Sequence, residues 1–541
     1  MVIERGCRLS ESRLWALQRG YYDSLGVTAW NKGPVPHYIT NNSYIAWSYA
    51  RVVRAFLVDL ERSGAYDASE PVYIVELGAG AGRFGYMFVR HLLDLTERRG
   101  LGVRFCYVMT DFAPKNLAFW RDHERLRDLH ARGVLDLARF DAERDESITL
   151  EKSGRVLSRE SMKNPLVVVG NYVFDTLTFD AFRVSRGQLM ESRISLRSER
   201  ADEPDLDDPG LLARLQVSYE HVPVEGDYYP DKPFWNAILA DYQARLGDTS
   251  IAFPVGAFRC IENLLHLSND RLMLLSGDKA FNRMDELLWR PDPEPVKHGS
   301  FSLTANFEAM GRLFEAQGGT ALHTSTRQAG LEVALFARVP EVPLQETRVD
   351  FVEIVDGFGP IDFFTLKENL APGESPPLKL CLDLVRLSRW DQRVLYDLAE
   401  GMYAQITGAS DILKRELRIA MSQVWELFYP IGDTMDLPFV LGRILYRLEH
   451  FRESLLLYRE SLRLFGEDAM THYNIALCHH HLREREAALE HLERSLAIDP
   501  NNSHARSWLL QVRSEMSESG VFLVGDALRA VSEGASLRPP L

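Results

Sequence analysis

Residues 75–85, VELGAGAGRFG, join a predicted strand to a predicted helix through closely spaced glycines. The run VYIVEL at 72–77 is short, β-branched and ends near Glu76, and FGYMFVRHLLDL after it carries apolar residues at helical spacing. Gly78, Gly80 and Gly82 let the backbone approach a ligand where a Cβ would block it. We therefore predict a ligand-binding turn, with a tight turn that holds no ligand as the alternative.

Strand and helix patterns alternate after this turn. Strand-like runs at 103–109, 134–140 and 166–170 are separated by helical patterns, and strand-like runs return at 271–277 and 331–339. Such a succession predicts an α/β fold with a Rossmann-like, doubly wound parallel sheet. We assign residues 1–70 to a helical lead-in and 71–340 to the α/β domain. Residues 198–232, rich in acidic residues, Pro and Gly, are predicted to be an inserted loop or cap.

Polar residues follow the predicted strands where a doubly wound sheet binds its ligand. Asp111 ends the second strand and could accept hydrogen bonds from both ribose hydroxyls of a nucleoside, while also capping a helix that begins near Pro114. Asp141 and Ala142 end the third strand, where a carboxylate can receive an adenine amino group or simply lie in a solvated turn. Asn171 ends the fourth. Gly80, Gly82 and Gly85 also satisfy G-x-G-x-x-G, so a nicotinamide-dependent oxidoreductase is an alternative.

Three segments carry a resemblance to a known family: VPHYITNNSYIAWSYARVV at 35–53, NYVFDTL at 171–177 and HGSFSLTANFEAMGRLFEAQGG at 298–319. Together with the glycine turn, they resemble the class I methyltransferases, and within these the MidA-like family, which includes complex I assembly-factor methyltransferases. The resemblance spans roughly residues 20–340. It implies S-adenosyl-L-methionine as the cofactor. The cofactor-binding residues that it implies are Glu76, Gly78, Gly80, Gly82, Asp111, Asp141, Ala142 and Asn171.

The sequence departs from the family pattern where a methyl acceptor would bind. Tyr172 stands where the family has Glu, and Ser302 and Asn306 stand where it has Asp and His. We predict catalytic roles for Asn171, Tyr172 and Asp175, with Tyr172 and Asp175 as the candidate proton acceptors. Structural roles, with Asp175 capping a turn and Tyr172 filling the pocket floor, are the alternative. The Tyr favours an amide, amine or hydroxyl acceptor over a guanidinium.

The C-terminal part repeats itself at an offset of 34 residues. Gly442 pairs with Ala476, and Ser454 pairs with Ala488, in the small-residue positions where two helices cross. This period predicts tetratricopeptide-like repeats over 435–517, with residues 469–502 the better match and SHARSWLLQVRSE as a capping helix. Residues 341–434 are predicted to be a linker and helical connector, and 518–541 a tail. Repeat arrays present a concave surface to other chains, so a protein or peptide substrate is expected.

Composition limits the classes of partner and the cellular compartment that we expect. A net charge of -15 argues against nucleic acid, and no apolar run reaches membrane-span length. Five dispersed cysteines and the lack of a signal-peptide pattern favour the cytoplasm. No metal site is predicted, because the consecutive side chains of His479, His480 and His481 point about 100° apart on a helix. A non-catalytic, cofactor-binding assembly factor or scaffold is a further alternative, and the oligomeric state stays open.

Overall fold

A computed structural model describes residues 1–33, 35, 37–325, 330–369 and 376–532, with side chains described as far as residue 517. The chain divides into two compact units. One unit consists of residues 1–371 together with Tyr429–Ile431, and the other of residues 372–428 and 432–541. The predicted break at residue 340 therefore falls about thirty residues too early.

The α-helices are α1 Arg13–Leu25, α2 Thr28–Asn31, α3 Ser43–Ser63, α4 Arg83–Arg99, α5 Pro114–Asp122, α6 Arg127–Ala131, α7 Pro233–Arg245, α8 Val255–Leu267, α9 Phe307–Ala316, α10 Gln345–Phe351, α11 Pro360–Glu368, α12 Leu378–Leu387, α13 Gln392–Gln405, α14 Asp411–Leu427, α15 Leu437–Arg447, α16 Phe451–Phe465, α17 Ala469–His481, α18 Arg485–Ile498 and α19 Ser503–Ser532. The strands are β1 Val2–Cys7, β2 Val72–Leu77, β3 Phe105–Asp111, β4 Leu135–Arg139, β5 Ile148–Thr149, β6 Val156–Leu157, β7 Leu166–Asn171, β8 Asp180–Ser185, β9 Gln188–Ser198, β10 Leu215–Pro223, β11 Thr249–Phe253, β12 Leu272–Asp278, β13 Ala280–Phe281, β14 Val296–His298, β15 Ser300–Ser302, β16 Ala305–Asn306, β17 Thr320–His323 and β18 Glu332–Arg338.

A seven-stranded sheet forms the centre of the first unit, in the order β17-β18-β12-β7-β2-β3-β4. The five strands from β12 to β4 are parallel, and β18 and β17 complete the sheet in antiparallel pairing. The chain passes from β2 outward to β3 and β4, and then returns to place β7 on the other side of β2. The predicted doubly wound α/β fold is confirmed, and its topological switch point lies between β2 and β7.

Helices cover both faces of this sheet, which explains why its central strands are apolar along their whole length. Every residue of β2 is buried. Val72 and Ile74 face a core built with α3 and α4, whereas Tyr73, Val75 and Leu77 face a second core built with α8 and α9. The alternation follows the two-residue period of a strand.

A second sheet of five antiparallel strands lies in the same unit, and the sequence did not predict it. Its order is β1-β9-β8-β11, with β10 paired to β9 over Leu215–Pro223. The predicted inserted loop at 198–232 is thus wrong at its centre, because QVSYEHV alternates in burial and completes a ladder with β9. Strand β1 lies within the predicted helical lead-in of residues 1–70, so that prediction is wrong over Val2–Cys7.

Residues 345–368 belong to the first unit and are not a linker. Helix α10 packs on α3. The carboxylate of Asp59 accepts hydrogen bonds from the backbone N–H groups of Glu346 and Thr347 at 3.0 and 2.9 Å, and Asp350 pairs with Arg54 at 2.8 Å. The Pro-rich stretch of the predicted linker falls largely on residues 370–375, outside the described residues.

The second unit is helical. Pairs α15–α16 and α17–α18 follow the predicted period, and the helices α13 and α14 pack against α15. The small residues stand where helices cross: a Cβ on Gly442 would lie 2.8 Å from the Tyr458 ring. Helix α19 continues to Ser532, beyond the predicted end of the repeats at 517, and residues 533–541 of the predicted tail lie outside the described residues.

Neither the sheets nor the repeats depend on disulfides. All five cysteines are free thiols. Across the described parts of the chain, no helix is long and apolar enough to cross a lipid bilayer.

Candidate functional site

A cavity of about 860 Å³ opens at the carboxyl ends of the parallel strands. Nine of the ten predicted site residues line it: Glu76, Gly78, Gly80, Asp111, Asp141, Ala142, Asn171, Tyr172 and Asp175. Parallel strands bring their carboxyl ends to one edge of the sheet, which is why residues up to 100 positions apart meet here. The volume is in the range that small-molecule sites occupy.

Gly82 is absent from the lining of the cavity, and its contact with a cofactor stays a prediction. Its φ of 81° lies in the left-handed region, and it forms the N-cap of α4. A Cβ there would lie 2.5 Å from the Met109 side chain and 3.0 Å from the Tyr429 hydroxyl oxygen, behind the loop. Gly82 therefore serves the turn and its packing.

Gly80 lies on the cavity side, but a side chain of the protein already packs against it. Its φ is 54°, and a Cβ would lie 3.0 Å from the Trp30 indole. The loop is held by two further bonds: the Gly80 N–H donates to Asp111 at 3.1 Å, and its carbonyl accepts from Trp120 Nε1 at 3.0 Å. Trp30 was not predicted, since its helix α2 lies some 50 residues upstream.

Glu76 carries a buried carboxyl group behind the same loop. Its Oε2 atom has no hydrogen-bond partner among the described residues, and a Cβ on Gly85 would lie 2.5 Å from it. Burial raises the pKa of Glu76 to about 8, and the negative Asp111 adds to the rise. The third glycine of the alternative G-x-G-x-x-G register thus serves close packing of α4 on Glu76.

Asp111 holds the glycine loop and the start of α5 together. Its carboxylate accepts hydrogen bonds from Gly80 N, Ala113 N and Asn116 Nδ2, at 3.1, 2.9 and 2.9 Å. The N-cap of α5 is Ala113, two residues after Asp111, so the predicted role of Asp111 as the N-cap is wrong. Burial raises the pKa of Asp111. A carboxylate has about four acceptor positions, so one remains for a ligand hydroxyl.

Asp141 is engaged by a residue that the sequence did not point to. Its Oδ2 atom accepts from Arg19 Nη2 at 2.6 Å, and its Oδ1 atom accepts from the Glu143 N–H at 3.2 Å. The Arg19 guanidinium also lies over the Phe112 ring at 4.4 Å. The predicted contact of Asp141 with an adenine amino group would therefore have to compete with Arg19.

The fourth-strand residues lie at the other end of the cavity. Asn171 Oδ1 accepts a hydrogen bond from the Tyr49 hydroxyl at 2.9 Å, which leaves the Asn171 amide N–H group as a donor. Tyr172 has a φ of 52°, and its hydroxyl donates to the Gly330 carbonyl at 3.2 Å. Asp175 is buried, and its Oδ1 atom has no hydrogen-bond partner in the described structure.

Asp278, at the end of β12, forms a carboxyl pair with Asp175. Asp278 Oδ2 accepts the backbone N–H groups of Phe174 and Asp175 at 2.9 and 3.2 Å. Burial raises the pKa of both carboxyls, and the charge of Asp175 raises that of Asp278 further. Two neighbouring buried carboxyl groups disfavour the state in which both are charged. The rule that identified Asp111, a polar residue directly after a strand, could also have found Asp278.

Other unpredicted residues complete the wall of the cavity. Tyr22 of α1 stacks on Trp30 with ring centroids 5.8 Å apart. His298 lines the cavity, and burial lowers its pKa, so its imidazole is neutral at pH 7. Ser302, which stands at a position of departure from the family pattern, also lines the cavity, whereas Asn306 caps α9 by accepting from Ala309 N at 3.0 Å.

The three consecutive histidines of α17 bind different partners. His479 Nδ1 lies 2.6 Å from Glu484, His480 Nε2 lies 2.9 Å from Glu515, and His481 Nε2 lies 3.0 Å from the Tyr446 hydroxyl. Within the described ranges, no group of three or more His, Cys, Asp or Glu side chains is arranged to hold a metal ion.

Comparison with known protein families supports the repeat prediction for one segment of the chain. Residues 469–502 match the tetratricopeptide repeat family, so the repeat prediction is confirmed there. No curated protein matches the sequence.

Three solved structures are similar to parts of the chain. An uncharacterised protein of the COG1565 superfamily from Burkholderia thailandensis is 14% identical, with 63% of this chain and 88% of that chain covered and a TM-score of 0.37. A member of the same superfamily from that bacterium, solved with S-adenosyl-homocysteine bound, is 15% identical at the same coverage with a TM-score of 0.39. MamA from Desulfovibrio magneticus is 14% identical, with 32% of this chain and 96% of that chain covered and a TM-score of 0.24.

Proposed function

We propose that this chain is an S-adenosyl-L-methionine-dependent methyltransferase. The observation that carries the proposal is the cavity at the switch point, where the glycine loop and Asp111 face Asn171 and Asp175. One half offers backbone and carboxylate groups for an adenosine, and the other offers polar groups for a methyl acceptor. Each half uses strand ends of the same parallel sheet.

The carboxylate of Asp111 favours this cofactor over a nicotinamide dinucleotide. A dinucleotide brings a pyrophosphate with negative charge to the N-terminus of α4, close to Asp111, whereas a sulfonium is cationic. The oxidoreductase alternative is therefore disfavoured by electrostatics.

The residues present fit the cofactor in chemical type. The remaining acceptor position of Asp111 suits a ribose hydroxyl, and Phe112 and Ala142 offer apolar surface for a purine ring. When bound, S-adenosylmethionine supplies an electrophilic methyl group on its sulfonium. The protein contributes orientation of the acceptor and exclusion of water.

The carboxyl pair offers the proton acceptor that an uncharged nucleophile needs. Asp175 Oδ1 is buried and lacks a hydrogen-bond partner in the described residues, and burial raises the pKa of Asp175 to about 7. An acceptor N–H or O–H that donates to Asp175 could lose its proton to the pair as the methyl group is transferred. The neutral Tyr172 beside it suits an amide, amine or hydroxyl acceptor better than a guanidinium.

We further propose a protein or peptide as the substrate. Tetratricopeptide repeats commonly bind other chains, and the repeat match at 469–502 supports this role. The resemblance of segments 35–53, 171–177 and 298–319 to the MidA-like family supports an assembly-related substrate. Engagement of Asn171, a predicted catalytic residue, by Tyr49 favours, as a second candidate, a cofactor-binding assembly factor without turnover.

Ligand-induced stabilisation tests the assignment. Only a ligand that binds the native state raises the midpoint of thermal unfolding. We expect S-adenosylhomocysteine to raise the midpoint and NADH to leave it unchanged. The methyl-transfer step is then tested with radiolabelled cofactor and an extract from cells that lack this protein. Cofactor binding without any labelled product would favour the second candidate, and stabilisation by NADH alone would contradict the methyltransferase.

A further inference from the structure

The tripeptide Tyr429–Ile431 belongs to the first unit, although the chain on both sides of it belongs to the second. It connects α14 to α15 in sequence. Tyr429 and Ile431 are buried at 0% and 1% exposure, respectively. A short segment that is buried this completely is held by specific contacts, and these contacts lie behind the glycine loop.

Each of its three backbone carbonyls accepts a hydrogen bond from a side chain of the first unit. Arg83 Nε donates to the Tyr429 carbonyl at 3.1 Å, His123 Nε2 lies 2.9 Å from the Pro430 carbonyl, and Asn31 Nδ2 donates to the Ile431 carbonyl at 2.6 Å. Three consecutive carbonyls bound by side chains define one backbone conformation for the segment. The first unit thus binds the backbone of the tripeptide through side-chain hydrogen bonds, as a protein binds a peptide ligand.

The Tyr429 side chain fills the space beneath the loop. Its ring stacks on His123 with centroids 3.7 Å apart and an interplanar angle of 7°, and it packs on Tyr86 of α4 at 5.3 Å. Its hydroxyl oxygen lies 3.0 Å from the position of a Cβ on Gly82. Burial raises the pKa of Tyr429, so the hydroxyl stays neutral.

The three donors lie in or directly beside elements that shape the cofactor half of the cavity. Arg83 is the first residue of α4 after the glycine loop, and His123 directly follows α5, the helix that Asp111 anchors. Asn31 follows Trp30, which packs against Gly80. The tripeptide therefore contacts the residue that follows the glycine loop, the residue that follows α5 and the residue beside Trp30. No residue of the tripeptide itself lines the cavity.

We propose that Tyr429–Ile431 is a positioning segment for the glycine loop, which raises cofactor affinity without touching the cofactor. The inference rests on the proposed function. Removal of the Tyr429 ring would leave a void under Gly82 and release the stacked His123, so the loop would spend less time in the binding conformation. The apparent affinity falls in proportion to the binding-competent population.

The test compares full-length Tyr429→Ala with Tyr429→Phe and with Phe314→Ala. Phe314 is a buried aromatic residue of α9 that packs in the second core, so its removal causes a similar loss of packing away from the loop. Calorimetric titration with S-adenosylhomocysteine, in the cold where all variants are folded, should show about a tenfold or greater loss of affinity for Tyr429→Ala. Phe314→Ala and Tyr429→Phe should bind as the unchanged protein does.

Hydrogen exchange supplies a readout that does not need the cofactor. Amides of residues 78–84 should exchange faster in Tyr429→Ala than in Phe314→Ala, because the segment supports the loop directly. Equal exchange of these amides in the two variants, or equal losses of affinity, would overturn the inference. If the unchanged protein does not bind S-adenosylhomocysteine, the proposed function fails, and the exchange comparison still decides the role of the segment.

Discussion

Replacement of Asp111 by Asn tests the architecture of the cofactor half of the cavity. The Asp111 carboxylate accepts three hydrogen bonds, two of them through Oδ2 from Gly80 N and Asn116 Nδ2. An Asn side chain keeps one oxygen, so its NH2 group must face the Ala113 N–H, where Oδ1 now accepts at 2.9 Å. At least one charge-assisted hydrogen bond is lost and two donors are opposed, which costs about 2–4 kcal/mol of local stability.

The same substitution should weaken cofactor binding. Loss of the charged acceptor for a ligand hydroxyl costs about 1.5–3 kcal/mol, which is roughly a ten- to hundredfold loss of affinity for S-adenosylhomocysteine in calorimetric titration. The two units of the chain need not unfold together, so one unfolding curve does not report the stability of the first unit alone. Hydrogen exchange of the β3 amides measures the stability around Asp111 directly.

Asp136→Asn is the matched control. Asp136 is buried near the amino-terminal end of β4 and, like Asp111, accepts three hydrogen bonds; all three come from backbone N–H groups, those of Leu137, Lys152 and Ser153 at 2.8, 2.8 and 3.0 Å. It should lose comparable stability and keep its affinity, since the cavity lies at the carboxyl ends of the strands. Equal losses of affinity in both variants would refute the reasoning, as would unchanged affinity in Asp111→Asn.

Three other outcomes follow from the buried carboxyls and from the repeats. Burial raises the pKa of Glu76 from 4.5 to about 8, so the folded state binds its proton more tightly than the unfolded state and stability falls as pH rises through this window. Glu76→Gln should therefore gain stability relative to the unchanged protein between these pH values, by at most about 5 kcal/mol; a difference in unfolding free energy that is flat with pH would contradict this. Asp175→Asn should keep the affinity for S-adenosylhomocysteine but lower methyl transfer by about a hundredfold or more, and single-turnover rates with wild-type values would exclude it as the proton acceptor. Gly442→Val should destabilise the repeats by about 1–3 kcal/mol, because its side chain meets Tyr458, whereas Gly408→Val meets open space and should melt near the unchanged protein by circular dichroism.

Local sequence patterns were sufficient for the central sheet and for the repeats. The β-branched runs around residues 72–77 and 166–170 and the helical spacing between them are set by neighbouring residues, so the parallel sheet could be predicted. The same holds for the 34-residue period that the family match at 469–502 confirms. Asp111, Asp141 and Asn171 could be assigned to one site from the sequence alone, because parallel strands end at a common edge.

The bonding partner of each polar atom was decided only by the tertiary structure. Arg19 reaches Asp141 across 122 residues, and Arg83 meets Tyr429 across 346. No periodicity links such positions, since pairing between distant segments depends on how whole elements pack and not on the residues beside them. For the same reason the antiparallel sheet escaped prediction: β1 pairs with β9, and the paired residues Val2 and Arg197 lie nearly 200 positions apart in the sequence.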